Sequence, residues 1–326
     1  MPVGLYAMVD SAFRHRTHRA LDAHRHDIDR LYARLSEIAN ANPHAWSRQP
    51  RDAQAFASSA SNPMHAFPYT RSHCSNWSVD QASALLFMSQ RKAQALGIPR
   101  ERWVFPLAST EANHMVPVSA RADLGACPGA EIAGREALEG AGVDAQALDF
   151  VDLYSCFPVA LLLYAQALGL PQGRDLSVTG GMPLAGGPYN NYVLQSTARM
   201  AQLLRKRGGT GLVSSVSGIV TKQGFGIWSS QEPGKPFHWA DVTARAAAAV
   251  AVREVVQGIE GPARIAGYTV LGSKGRPATG IAIVDLPDGR RAVATSTEES
   301  LLAALQSSEC VGAPVLLADD RFRLAQ

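Results

Sequence analysis

The sequence predicts an α/β fold followed by a small β-rich module. Three observations lead to this prediction: the chain has 326 residues, strand-like and helix-like patterns alternate between residues 78 and 256, and strand-like runs dominate residues 258–326. At about 150 residues per domain, this length corresponds to roughly two domains. In an alternating α/β fold, functional groups are expected at the carboxyl ends of the strands.

Composition narrows the classes of protein to consider. Hydrophobic residues make up 46% and charged residues 18%, so a large core is available and global disorder is excluded. Lys and Arg number 31 against 28 Asp and Glu, and this net charge of +3 argues against nucleic acid or an anionic membrane as partner.

No apolar run approaches the roughly 18 residues of a membrane span, and the start lacks a signal-peptide pattern, so we expect no membrane span and a cytoplasmic location. Cys74, Cys127, Cys156 and Cys310 show no CxxC spacing, so we expect neither a metal site nor a disulfide framework.

The first 65 residues are rich in histidine and arginine. Helical apolar spacing predicts an amphipathic helix over residues 19–39, whereas residues 46–63 are polar and predict an irregular segment. His24 and His26 are two residues apart, which disfavours a metal pair on a helix. The basic stretch over residues 14–34 is typical of a solvated helix face, and the alternative is a patch near a phosphorylated ligand.

Helix and strand signals then follow in order. Ser78 to Gln81 form a capping-box pattern that predicts a helix ending at Leu96. Further helices are predicted over 130–141, 157–168, 191–206, 241–256 and 298–306, and strands over 102–108, 149–155, 211–218, 225–230, 263–271, 280–286, 290–296 and 313–319.

Two stretches carry candidate chemistry. In Val151 to Pro158 a strand ends, Cys156 follows and a helix begins, and the helix N-terminus would stabilise a thiolate there. A lone cysteine is also often a small buried hydrophobe. In Thr179 to Pro188 two Gly-Gly pairs indicate either a functional turn or close packing. The stretch matches neither a P-loop nor a dinucleotide-binding fingerprint, and the chain has no GxSxG elbow.

Three motifs together resemble thiolases. They are DLYSCFP (152–158), TGGMPLAGGPYNN (179–191) and GLVSSVSGIVTKQGFG (211–226). The resemblance is to sterol-carrier-protein thiolases and to bacterial thiolase-like proteins called acetyl-CoA acetyltransferases. It implies a layered αβαβα fold with its second half complete and its first half partial. On that plan, residues 1–75 resemble part of the loop domain, 76–118 the end of the first half, 119–256 the second half and 258–326 the additional C-terminal domain.

The resemblance also implies roles for individual residues. Cys156 matches the family's acid/base cysteine, and Tyr154 replaces a histidine that supplies an oxyanion hydrogen bond. Gly186, Gly187 and Pro188 match a Gly-His-Pro motif, so at Gly187 the family's activating histidine is lost. The substrate-binding loops fall on Gly180, Gly181, Gly186, Pro188, Ser217 and Gly218. Gln223 stands where related proteins have a further histidine, and no cysteine here has the context of the family's nucleophile.

Two functions follow from this resemblance. The first is an acyl-CoA acyltransferase of the acetyl-CoA acetyltransferase type, which condenses or cleaves CoA thioesters and needs a companion chain for the nucleophilic cysteine. The alternative is a non-catalytic thiolase-like subunit that binds acyl-CoA or stabilises a partner. Loss of a positioned base costs about 10²–10⁴ in rate, which favours the alternative for this chain alone. We expect a CoA thioester as ligand, no tightly bound cofactor and no metal. The expected assembly is a homo-oligomer or a complex with a thiolase subunit.

Overall fold

The computed structural model describes residues 2–325, which form two β-sheets with helices packed against them. The helices are Pro2–Arg16 (α1), Leu21–Ala41 (α2), Gln90–Ala95 (α3), Pro128–Ala141 (α4), Pro158–Ala167 (α5), Met182–Ala185 (α6), Tyr192–Arg207 (α7), Thr243–Ala248 (α8) and Glu299–Ser307 (α9). The strands are Met64–Ala66 (β1), Tyr69–Thr70 (β2), Phe105–Asn113 (β3), Phe150–Asp152 (β4), Thr210–Ser217 (β5), Lys222–Ser229 (β6), His238–Asp241 (β7), Val255–Val256 (β8), Gly261–Ser273 (β9), Arg276–Asp285 (β10), Arg291–Ser296 (β11), Pro314–Ala318 (β12) and Arg321–Leu324 (β13).

The first sheet has five strands in the order β4-β5-β6-β3-β7. Strands β5, β6 and β3 run antiparallel to their neighbours in this group, while β4 is parallel to β5 and β7 is parallel to β3. Successive strand residues point to opposite faces. Leu212 accordingly joins the main core, whereas Val213 packs with Met200 and Leu204 of α7. The sheet is therefore covered on both faces along β5.

The second sheet holds the C-terminal module. Strands β9, β10, β11, β13 and β12 pair in a ring that closes when β12 returns to β9. Leu301, Leu302 and Leu305 of α9 fill its core. Strand β1 pairs with β9, so residues far upstream extend this sheet. The predicted β-rich character of residues 258–326 is confirmed, and the proposed division of the chain into four domains stays a prediction.

Helix α1 was not predicted from the sequence. It is buried over most of its circumference and packs against β9 and α5. Because Asp10, Ser11 and Arg14 are buried together with the apolar residues, the sequence of α1 shows no clear amphipathic period. The buried Arg14 at its end donates to Glu309 and Tyr268 of the C-terminal module, at 2.9–3.1 Å. Helix α1 thereby joins the module to the rest of the fold.

Other predicted elements can be compared directly. Helices α2, α4, α5, α7 and α9 and the eight predicted strands are confirmed within a few residues, although β4 is shorter than predicted, and residues 46–63 are largely irregular as expected. The short strands β1, β2, β7, β8 and β13 were not predicted. The predicted helix over residues 241–256 is too long, because after α8 the chain extends and β8 pairs with β11.

The predicted helix from Ser78 to Leu96 is wrong. Residues 75–89 form neither helix nor strand, and within the predicted range only α3 is helical, capped by Ser89. The side chains of Leu86 and Phe87 are exposed, so packing against a core does not stabilise a helix here. The start of this segment instead hydrogen-bonds to the Gly-rich loop, where the main-chain nitrogen of Asn76 donates to the carbonyl of Met182 at 3.2 Å.

Candidate functional site

The buried carboxylate of Asp152 organises the Gly-rich loop. It lies at the carboxyl end of β4 and is fully buried. It accepts hydrogen bonds from the Ser177 hydroxyl at 2.8 Å, the main-chain nitrogens of Val178 and Thr179 at 2.9 and 3.2 Å, and the Tyr192 hydroxyl at 3.0 Å. Burial raises the pKa of Asp152, and these donors oppose that shift. Asp152 opens the DLYSCFP motif, but no role was predicted for it, and it positions the loop rather than facing open space.

Close packing explains the first Gly-Gly pair. Gly180 and Gly181 have φ of +101° and +77°, and their main-chain nitrogens donate to the Ser177 hydroxyl at 3.0 and 3.1 Å. A β-carbon on Gly180 would overlap Ala39 of α2. Only glycine avoids both the strained φ and this overlap. The loop is thus held against α2 and has a structural reason for its glycines.

Cys156 lies at the junction between β4 and α5, as predicted. It is buried, with 8% of its surface exposed, and burial raises the pKa of its thiol to about 12. The phenol of Tyr6 on α1 and nearby main-chain N–H groups act in the opposite direction, but burial outweighs them. Burial therefore opposes a thiolate at neutral pH and fits the other interpretation of Cys156, a small buried side chain. The acid/base role of Cys156 stays a prediction, and a protonated thiol there can only donate.

Tyr154 is held in a fixed orientation beside this junction. Its ring stands nearly perpendicular to the ring of Tyr192, with the centroids 5.7 Å apart. Its main-chain nitrogen donates to the Ser214 hydroxyl at 3.0 Å. Burial raises the pKa of Tyr154 to about 12, so its hydroxyl stays protonated and available as a hydrogen-bond donor.

The second Gly-Gly pair leaves no space for the family's histidine. A β-carbon on Gly187 would lie 2.7 Å from Cε of Met182 and 3.0 Å from Oγ of Ser75. The main-chain nitrogen of Gly187 donates to the Asn76 carbonyl at 2.8 Å. Gly186 has φ of +96°, and Pro188 follows this pair directly. The side chains of Met182 and Ser75 thus occupy the space that a side chain at position 187 would need.

Ser217 and Gly218 lie away from Cys156 and the two Gly-Gly pairs. They form the turn between β5 and β6, and Gly218 lines an apolar cavity of about 530 Å³ together with Met115. Gln223 is buried and donates to the Val220 carbonyl at 2.7 Å, so its amide has a packing role. The structure therefore brings Cys156 and the two Gly-Gly pairs together and leaves the Ser217 turn on a different cavity.

Cys74 is a neighbour of Cys156 that the sequence did not reveal. It follows a short 3-10 helix and is half-buried, and the main-chain nitrogen of the next residue, Ser75, donates to the Cys156 carbonyl at 3.2 Å. Burial, followed by the proximity of Cys156, raises the pKa of Cys74 to about 12. The two cysteines are far apart in the chain and share no motif, so only the fold shows that they are close.

Cys74 also lies on the wall of a groove of about 770 Å³, which we call the basic groove. Its lining contains Trp46, Ser47, Arg48, Gln49, Arg51, Ser61, Asn62, His65, Arg71, Ser72, Cys74, Ser75, Asn76, Trp77, Ser78, Pro183 and Leu184. The three arginines and His65 are exposed. No acidic side chain lines the groove, and within residues 2–325 none of the three arginines forms an ion pair. Trp46 and Trp77 are 50% and 59% exposed.

The basic stretch over residues 14–34 behaves differently. On α2, Arg25 pairs with Asp22, Arg30 with Asp27, and Arg34 with Asp175 and Glu37. These paired arginines of α2 fit the favoured interpretation of a solvated helix face, whereas Arg14 and His24 of the same stretch are fully buried. The uncompensated positive charge lies in the basic groove instead.

Two further features of the described chain bear on ligands. Across residues 2–325, no three His, Cys, Asp or Glu side chains gather in a way that could hold a metal ion. Within the same residues, none of the helices has the length and hydropathy needed to cross a bilayer.

Comparison with known proteins gives a consistent result. The family described as "Thiolase-like protein type 1 additional C-terminal domain" matches residues 244–321. A monomeric SCP2-thiolase like protein type 1 from Mycobacterium smegmatis is 29% identical, with a TM-score of 0.87 over 100% of this chain and 73% of that chain.

Two more distant structures share the fold. Human mitochondrial 3-ketoacyl-CoA thiolase in complex with CoA is 16% identical, with a TM-score of 0.51 over 69% of this chain and 59% of that chain. The "Ltp2-ChsH2(DUF35) aldolase" is 17% identical, with a TM-score of 0.57 over 71% of this chain and 64% of that chain. The predicted thiolase-like α/β fold with an additional C-terminal module is confirmed.

Proposed function

Since this chain belongs to the thiolase superfamily and carries the additional C-terminal domain of type 1 thiolase-like proteins, we propose that it binds a CoA thioester in the basic groove. The main support for the proposal is a set of three exposed arginines around the groove: among residues 2–325 these arginines have no ion-pair partner, and no acidic residue lines the groove. CoA bears a diphosphate and a further phosphate, and arginine is the side chain best suited to phosphate oxygens. The human thiolase of similar fold is described in complex with CoA.

The groove offers complementary surfaces for the rest of the ligand. The exposed indole rings of Trp46 and Trp77 provide aromatic faces on which an adenine ring can stack. Pro183, Leu184 and Cys74 line the same groove without charge, which suits a pantetheine arm and its thioester. A volume near 770 Å³ lies within the range of about 300–1,000 Å³ that is typical of small-molecule sites.

The two cysteines and Tyr154 beside the groove supply donors but no base at neutral pH, and His65 is the side chain of the groove lining that could act as a base. Cys74 and Cys156 have pKa values raised to about 12, and Tyr154 is raised to about 12 as well. All three therefore stay protonated, and position 187 carries no side chain that could remove a proton. This chemistry favours binding of the thioester, without turnover, by this chain alone.

Acyl transfer of the acetyl-CoA acetyltransferase type is the second candidate function. It is favoured by the position of the Cys74 thiol, which lies on the groove wall and close to Cys156. In that reaction Cys74 sulfur would attack the thioester carbonyl, the bond between carbonyl carbon and CoA sulfur would break, and the thiol proton would leave with CoA. Incubation with acetyl-CoA would then add one acetyl group to the peptide that contains Cys74, and Cys74→Ser would abolish the addition.

Calorimetric titration with acetyl-CoA tests the binding proposal. The double variant Arg51→Glu and Arg71→Glu should bind at least tenfold more weakly than the wild type, because two phosphate partners become repulsive. Arg323→Glu is the matched control, since Arg323 is exposed and lies on β13 outside the groove. Equal affinity of all three proteins, or no binding by the wild type, would contradict the proposal. The oligomeric state and a partner thiolase subunit stay predictions.

A further inference from the structure

A second cavity lies outside the basic groove and is not used by the proposed function. Its volume is about 750 Å³, and its lining includes Cys127 and Gly129 at the start of α4, Leu168 just after α5, Thr221 and Ala249 just after α8. We call it the α4 cavity. None of its lining residues belongs to the lining of the basic groove. A ligand here would therefore not compete with one in the groove for the same side chains.

Arg121 places an uncompensated positive charge on the wall of this cavity. Its side chain is buried, with 6% of the residue exposed. Nε donates to the Val116 carbonyl at 3.2 Å and Nη2 to the Ile219 carbonyl at 2.6 Å. Nη1 has no hydrogen-bond partner within residues 2–325, and no carboxylate there forms an ion pair with Arg121. Burial of a guanidinium without a counter-ion is costly, so the site is poised to accept an anion.

The other charged side chains around the cavity do not neutralise the positive charge of Arg121. Two further arginines of the lining are already neutralised: Arg16 pairs with Asp123, and Arg135 pairs with Glu131. The N-terminus of α4, a helix of 14 residues, also lines the cavity through Cys127, Pro128 and Gly129 and places the positive end of its dipole there. The residual charge is thus close to one positive unit, which matches a monoanion better than a phosphate diester chain or a polyphosphate.

Part of the remaining wall is apolar, whereas His114, Gln166, Thr221 and Gln223 make the rest of it polar. Leu163, Leu168, Val220, Ala246 and Val250 line the cavity. A ligand that fills this space needs an apolar body as well as one anionic group.

We propose that the α4 cavity binds a small organic carboxylate, with its carboxylate group on Arg121 and its aliphatic body against the apolar wall. A carboxylate accepts two parallel hydrogen bonds from a guanidinium or one from Nη1 together with a main-chain N–H, and both arrangements restore the missing counter-charge. The site is separate from the proposed CoA site, so the two proposals can fail independently.

Titration of the full-length protein with hexanoate tests this assignment. The wild type should bind hexanoate, and hexylammonium, which has the same body with the opposite charge, should not bind. Arg121→Gln should weaken hexanoate binding at least tenfold. Ala249→Phe should do the same by filling the cavity, and it leaves the Arg121 hydrogen bonds untouched if Arg121→Gln fails to fold.

Matched controls make the result decisive. Ala248→Phe places the same side chain on the neighbouring exposed position, which does not line the cavity, and should bind hexanoate like the wild type. Arg71→Glu, in the basic groove, should also keep hexanoate affinity. The proposal is overturned if the wild type does not bind hexanoate, if Ala249→Phe binds it unchanged, if hexylammonium binds equally well, or if Arg71→Glu rather than Ala249→Phe removes binding.

Discussion

The main-chain nitrogen of Ser75 donates a hydrogen bond to the carbonyl oxygen of Cys156, at 3.2 Å. This bond connects the wall of the basic groove to the junction between β4 and α5. It also explains why Cys74, one residue earlier, lies beside Cys156. This hydrogen bond brings together two segments that share no motif. The chemistry of the resulting site depends on how burial changes the pKa values of the Cys74 and Cys156 thiols.

The rate of thiol alkylation tests whether burial raises the pKa values of Cys74 and Cys156. Because the pKa values of Cys74 and Cys156 are raised to about 12, we expect both to react with iodoacetamide about 10³-fold more slowly at pH 8 than an exposed thiol. The rate should rise about tenfold per pH unit until the protein unfolds, because only the thiolate reacts. Peptide mass spectrometry resolves the sites, and a short unstructured cysteine peptide serves as the reference. Rapid labelling of Cys74 at pH 7 would instead support the acyl-transfer candidate.

A histidine at position 187 should destabilise the fold rather than restore a base. The β-carbon would overlap Met182 and Ser75, and overpacking of this kind costs about 1–3 kcal/mol. Urea unfolding should show this loss for Gly187→His and a partial recovery when Met182→Ala is added. Gly234→His is the control, because a β-carbon on Gly234 meets nothing within 4 Å. Equal stability of Gly187→His and wild type would contradict the packing described here.

Asp152→Asn should loosen the Gly-rich loop. The amide cannot accept all the hydrogen bonds that the carboxylate receives from Ser177, Val178, Thr179 and Tyr192, so we expect a loss of about 2–4 kcal/mol in the free energy of unfolding. Asp149→Asn is the control, because Asp149 is exposed. An Asp152→Asn protein as stable as the control would remove Asp152 from its anchoring role.

The stability difference between wild type and Asp152→Asn should also depend on pH. Burial raises the pKa of Asp152 in the folded state, so the folded protein holds this proton more tightly than the unfolded chain does. The associated stability is fully present below the ordinary aspartate pKa and is lost as pH rises through the folded-state pKa. Unfolding measured between pH 3.5 and 8 should therefore show the largest advantage of the wild type at the acid end, and the opposite slope would contradict the raised pKa.

The link between α1 and the C-terminal module can be tested at Glu309. Its two oxygens accept from Arg14 at 3.0 and 3.1 Å, and the Arg14 side chain is fully buried while Glu309 is 34% exposed. Glu309→Gln leaves the buried guanidinium without its counter-charge, which should cost about 2–3 kcal/mol after allowance for partial exposure. Differential scanning calorimetry should show a lower Tm for Glu309→Gln than for the exposed control Glu299→Gln.

Much of the fold follows from local patterns in the sequence. Helix α7 ends at Gly208 where the apolar period stops, and the Pro158 signal places the start of α5 correctly. Helix α1 lacked such a pattern because nearly every face is buried. The capping-box pattern at Ser78 predicted a helix that does not form. The side chains of Leu86 and Phe87 are exposed and would not be buried by a helix, and the start of the segment hydrogen-bonds to the Gly-rich loop instead.

The candidate site was less predictable than the fold. Motifs pointed to Cys156 and to both Gly-Gly pairs, and the structure brings them together. The Asp152 network, the proximity of Cys74 and the basic groove arise from residues distant in sequence, and tertiary packing alone creates them. Burial also reversed the expected effect of the helix N-terminus on Cys156, because desolvation of a thiolate outweighs a few main-chain donors.

A crystal structure of the protein grown with acetyl-CoA tests the central claim most directly. We expect ligand density in the basic groove, with phosphate oxygens within hydrogen-bond distance of at least two of Arg48, Arg51 and Arg71, and with the thioester toward Cys74. Density for acetyl-CoA at another site, with the groove filled only by solvent, would contradict the proposed function.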